Sequence, residues 1–160
     1  MLFSLLHIIH VLTVILWIGG LAFITFLILP MIVKMPNPLE KVLLFQRIEH
    51  RFAPAARIYS AVVGISGFAM FFMMDLQTVI FTGEGLSLLF MIIVWIFWTV
   101  MLFGLEPLII KRLLDRLASQ KGDGLEIEDV FRRMNLLHLA LLFISLAAAA
   151  SGAIFAHGFF

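Results

Sequence analysis

Apolar residues run from Leu2 to Val33 with no Asp, Glu, Lys or Arg among them, and three further apolar runs follow. At ~1.5 Å rise per residue, roughly 20 such residues cross the ~30 Å hydrocarbon core of a bilayer. The pattern predicts four transmembrane helices, at about 2–33, 53–74, 86–110 and 130–156. They form one domain over 1–160, an all-α integral membrane four-helix bundle. Pro30 lies near the end of the first helix, which is expected to bend or stop there. Pro36, Asn37 and Pro38 break it. An amphipathic helical segment at 39–52 then leads into the second helix, with Pro54 as a joint or first turn. A short turn spans 75–85, and Gly122-Asp123-Gly124 marks the flexible point of the last connection. No internal repeat is visible.

Composition agrees with the pattern. Hydrophobic residues make up 63% of the 160, charged residues 13%, and the mean hydropathy is +1.14. Such a chain is too apolar for a soluble domain. There is no cysteine, so disulfides, thiolate metal sites, c-type haem attachment and cysteine nucleophiles are excluded together. The first residues lack the basic stretch of a signal peptide, so the first segment is expected to stay.

The net charge of +1 matters less than its distribution. Lys34, Lys41, Arg47, Arg51, Arg57, Lys111, Arg112, Arg116, Lys121, Arg132 and Arg133 all lie in two connections or the helix ends beside them. The 75–85 turn and both termini carry none. By the positive-inside rule both basic connections are cytoplasmic, giving an N-out/C-out protein of the cell inner (plasma) membrane.

Chemistry enters through the helix faces. His7, His10, Trp17 and Gly20 share one face of the first helix. Ionisable groups in a membrane segment usually face a protein interior or cavity, so this stripe is expected to point inward. Ala56, Ser60, Gly64 and Gly67 form a small-residue stripe on the second helix, where close helix approach is favoured. On the fourth, His138, Ser145 and Gly152 recur at sevens with Asn135 a turn earlier, so His138 is also expected to point inward. Trp95, Thr99 and Glu106 share a face of the third helix, and a Glu106–Arg57 ion pair would close the cytoplasmic end.

His10, then Trp17 with Ile18-Gly19-Gly20, resembles the first helix of the CopD/HemJ-like membrane proteins. These are copper-resistance D-like proteins and HemJ-type protoporphyrinogen oxidases. Leu29-Pro30 is similar to a pair in those oxidases. Glu49-His50-Arg51-Phe52 with Arg57 looks like their basic lead into the second helix, and Phe131-Arg132-Arg133-Met134-Asn135 like their Phe-Arg-x-x-Asn lead into the last. The likeness touches three of the four helices through short motifs. It implies a haem b- or porphyrin-binding redox protein, oxidase-like in the fuller form, with His10 at the site. The oxidases are expected to carry a lysine on the third helix; 86–110 has none here.

Four histidines are candidate cofactor ligands: His10, His138, His7 and His157, with His10 and His138 also candidate metal ligands. His7, His10 and His157 lie toward the outer side and His138 toward the cytoplasm, so His10 and His138 differ by something like 20 Å in depth at ~1.5 Å per residue. His50 is expected at headgroup level. The alternative is copper binding or import without enzymatic activity, using His with soft Met donors such as Met70, Met73, Met74, Met91 and Met101. Met is more often an adaptable apolar filler. No phosphate-cradling motif, HExxH or Ser/His/Asp set occurs. Expected partners are membrane lipid, a redox partner or porphyrin, and further copies of the chain; the basic rim calls for anionic lipid rather than nucleic acid.

Overall fold

A computed structural model describes residues 1–105 and 124–157, and every regular element among them is helical. Four helices are long and apolar enough to cross a membrane. The first, α1, is Leu2–Val33. It runs on through Pro30 after a single π turn at Ile24–Ile28. Proline lacks an N–H and its ring crowds the carbonyl four residues back. A widened turn just before it accommodates both effects.

The second helix, α2, is Pro38–Met73, 36 residues without a break. This corrects the expected start near residue 53. Asn37 is its N-cap, accepting from the Leu39 and Glu40 N–H groups at 3.0 and 3.4 Å, and Pro38 takes the first helical position, where its missing N–H costs nothing. Pro54 sits in the helix interior as an exposed residue, while Ala53 and Ala56 beside it are buried. Packing on the opposite face holds the helix together across the proline.

A turn with 3-10 segments at Leu76–Thr78 and Gly83–Gly85 follows. Asp75 adopts a left-handed conformation (φ 52°), which Asp tolerates better than most residues. Gly85 lies so close to the Val79 carbonyl and Ile80 backbone that no Cβ fits. The third helix, α3, is Leu86–Val100 and continues into a π turn, Met101–Leu105; its expected remainder to residue 110 lies outside the described residues. The fourth, α4, is Gly124–His157. It begins earlier than expected because its first turns are charged and hydropathy does not register them.

Contacts fix the arrangement. His10 meets Gly67 and Gly20 meets Phe52, so α1 and α2 are antiparallel. Trp95 with Gly64 and Arg57 with Leu102 set α2 against α3 in the same way. Trp98 with Ser145 and Met91 with Gly152 do so for α3 and α4. The result is an up-down-up-down bundle.

The described residues form two cores. The central one gathers Trp17, Leu21, Ala56, Val63, Val94, Trp98, Leu102 and Leu142 from all four helices. The second gathers Ile32, Val42 and Phe131, with Phe45 edge-on to Phe131 at 5.7 Å. α2, with 36 residues, is ~54 Å long at ~1.5 Å per residue. Its first turns and those of α4 therefore project together at the end where α1 stops. Lys41 is buried there and donates from Nζ to the Val33 carbonyl at 3.0 Å, satisfying a carbonyl at the end of α1. The outward faces are as apolar as the interior: Ile8, Leu12, Ile15 and Leu16 on α1 are all exposed, the pattern of a helix with no aqueous face.

Candidate functional site

His10 is the centre of the candidate site. Its position on α1 turns the imidazole toward α2, where Gly67 leaves space: a Cβ there would lie 3.1 Å from His10 Cε1. His10 Nδ1 is 3.1 Å from the Val63 carbonyl oxygen and 3.0 Å from Ser66 Oγ. A carbonyl only accepts, so Nδ1 carries the proton. Ser66 Oγ gives its own hydrogen to the Val62 carbonyl at 2.6 Å, one turn back along α2. Its lone pair is thereby turned to the ring, and the Nδ1 proton is shared between two acceptors. In the neutral ring Nε2 is then a bare lone pair, and no hydrogen-bond partner for it occurs among the described residues. Thr13, a turn below, is buried and donates to the Ile9 carbonyl.

Below His10 the bundle is closed by aromatic rings. Trp17 and Trp98 meet edge to face with centroids 5.6 Å apart. Trp98 Nε1 donates to Ser145 Oγ at 2.9 Å, and Ser145 donates in turn to the Leu141 carbonyl. On the neighbouring side Trp95 Nε1 donates to the Ser60 carbonyl at 2.9 Å, and Ser60 Oγ lies 3.1 Å from Thr99 Oγ1. The indole N–H groups of Trp95 and Trp98 are thus paired, as an apolar interior favours. Between α2 and α3 an open groove of about 400 Å³ is lined by Gly64, Phe68, Trp95, Thr99 and Phe103 among others.

The other expected ligands make contacts of their own. His7 is exposed, not on the inner face, and stacks loosely on Phe3 with ring centroids 6.1 Å apart. Three residues turn a helix by about 300°, so His7 sits roughly 60° around α1 from His10. His157 is exposed and bonds within its own helix, to the Ala153 carbonyl. His138 is half-buried and bonds to the Met134 carbonyl of its own helix at 2.9 Å. Trp17, Trp98 and Ser145 share one level. His10 lies two turns from that level on one side and His138 two turns on the other, so ~1.5 Å per residue separates them by ~20 Å. The structure does not bring these two into one site. His50 is exposed.

Among the described residues, no group of three or more His, Asp or Glu side chains converges as a metal site. Met91 packs its sulfur over Gly152, where a Cβ would lie 2.7 Å away. Arg57 Nε donates to the Leu102 carbonyl in the π turn of α3 at 2.9 Å; its expected partner Glu106 lies outside the described residues. Asn135 Oδ1 is buried with no hydrogen-bond partner, the only such side-chain atom among the described residues.

Two features carry little mark in the sequence. Ser66 lies beside the small-residue stripe rather than on it, and its one signal is a serine next to glycine in an apolar run. Lys41 reads only as one of the charges of its connection.

The geometry defines an all-α protein with four helices fit for a membrane and a histidine held between the first two. Set against known protein families, curated proteins and solved structures, the chain matches none of them.

Proposed function

We propose that this chain is an N-out/C-out protein of the inner (plasma) membrane that binds haem b or a related porphyrin through His10 and serves in redox chemistry. One observation carries the reading: His10 Nδ1–H is held by Val63 O and Ser66 Oγ, so its other nitrogen is presented as a ligand. That is the form in which imidazole binds iron, with the second nitrogen on an acceptor that orients the ring. Four-helix bundles build cofactor sites from such inward groups, and an imidazole at this depth needs partners. Bound haem would supply one-electron chemistry; the chain supplies the ligand, its orientation and an apolar surround. His138, ~20 Å away by helix rise, would not share that iron.

The copper alternative has less behind it. A soft-metal site wants several converging donors, and no three His, Asp or Glu side chains converge among the described residues. The likeness to the CopD/HemJ-like proteins supports the haem reading through His10, Trp17 and Gly20, while oxidase activity lacks the third-helix lysine.

The purified protein, titrated with haem in detergent, is expected to develop a Soret band. His10→Ala abolishes it at normal expression, His10→Gln does not restore it, and His138→Ala retains it. No Soret band in the parent, or full occupancy in His10→Ala, would overturn the proposal.

A further inference from the structure

We infer that Ser66 is the positioning residue of the site: as one of two acceptors, with the Val63 carbonyl, it holds His10 in the Nδ1–H tautomer and so presents Nε2 to the ligand. As a statement about a haem site this rests on the reading above; as a statement about the imidazole it stands on the geometry alone. Four distances carry it. Ser66 Oγ is 2.6 Å from the Val62 carbonyl and 3.3 Å from that of Val63, so its single hydrogen is committed along its own helix. What remains toward His10, 3.0 Å away, is a lone pair. The Val63 carbonyl at 3.1 Å is the second acceptor. A serine could in principle donate to a ring nitrogen and select the opposite tautomer; here the back-bond to Val62 removes that option. Ser66 is 3% exposed, so water does not compete for the hydroxyl. Gly67 completes the arrangement, since any side chain there would press on His10 Cε1.

The consequence is electronic as well as steric. An Nδ1–H that rests on acceptors raises the basicity of Nε2, and removing such an outer partner typically weakens metal binding 10–100-fold. Val63 still accepts in Ser66→Ala, so the effect falls at the lower end, about tenfold. Ser66→Thr keeps an oxygen that can back-bond to the carbonyl four residues earlier, and is expected to bind within about twofold of the parent.

The test is nitrogen NMR of the full chain in detergent, with ¹⁵N-labelled histidine and no haem, His10 being assigned by its loss in His10→Gln. The proton-bearing and bare nitrogens of neutral imidazole resonate far apart. The parent and Ser66→Thr are expected to show a pure Nδ1–H tautomer at His10, and Ser66→Ala a mixture. Haem titrations of the same three proteins should give the tenfold loss in Ser66→Ala alone. A parent in the Nε2–H form, or a Ser66→Ala protein with unchanged tautomer and unchanged affinity, overturns the inference. If no protein binds haem but Ser66→Ala shifts the tautomer as stated, the cofactor reading fails and the role of Ser66 stands. Should Ser66→Ala not fold, Ser66→Cys, which keeps the volume but accepts weakly, is read in its place, with the same mixture expected and an unchanged tautomer overturning the inference.

Discussion

The Trp95 ring lies directly over the Gly64 backbone and donates its Nε1–H to the Ser60 carbonyl one turn away. A glycine and an indole thus act as one unit: the missing side chain makes the bed in which the ring lies, and the hydrogen bond holds it there. A Cβ at 64 would run into the ring atoms themselves.

Gly64→Leu is therefore expected to push Trp95 out and cost roughly 1–3 kcal/mol, the usual range for overfilling a packed contact. Gly152→Leu should do the same more mildly, because the obstacle there is the flexible end of Met91. Thermal unfolding in detergent, read by tryptophan fluorescence, measures both. Two variants as stable as the parent would sink the assignment of these glycines to helix contacts.

Ser145 offers a second check, of a hydrogen bond rather than a volume. Its hydroxyl is the acceptor for Trp98 Nε1 in the centre of the bundle. Ser145→Ala strands a buried N–H and is expected to cost about 1–3 kcal/mol. Ser145→Thr should recover most of that loss. A melting temperature for Ser145→Ala equal to the parent's would show that the indole finds another acceptor.

Pro54 bears on the continuity of α2. The helix passes through it, so Pro54→Ala restores an N–H for the His50 carbonyl without disturbing the buried face formed by Ala53 and Ala56. Stability is expected to rise, by at most the ~3 kcal/mol a proline costs inside a helix. Were the residue a true joint between two helices, straightening it would misplace the charged first turns and lower stability instead.

Topology follows from charge placement. With all eleven Lys and Arg in or beside two connections, both of those connections are expected in the cytoplasm and both ends of the chain outside. A C-terminal alkaline phosphatase fusion should be active and a C-terminal green fluorescent fusion dark. The opposite pair of results would invert the protein.

The all-helical class and the four long apolar helices are legible in the sequence alone. Length and hydropathy are additive properties of a segment, so the four apolar runs were readable one at a time. Periodicity likewise placed Ala56, Ser60 and Gly64 on one face, and His10 with Trp17. Its reach ended where a neighbour mattered. His7 shares the His10 stripe in projection, yet only His10 is covered, since α2 reaches it through Ser66 and Gly67. Pro54 carries the local mark of a break, but burial of Ala53 and Ala56 keeps the helix whole. The first turns of α2 and α4 read locally as charged segments; the contact of Phe45 with Phe131 closes a core between them. Lys41 is locally one charge among several, and only the end of α1 beside it gives it a partner. The tautomer of His10 was wholly a tertiary decision: it depends on a carbonyl and a hydroxyl more than fifty residues away in sequence, and no local pattern encodes which acceptors a ring will meet.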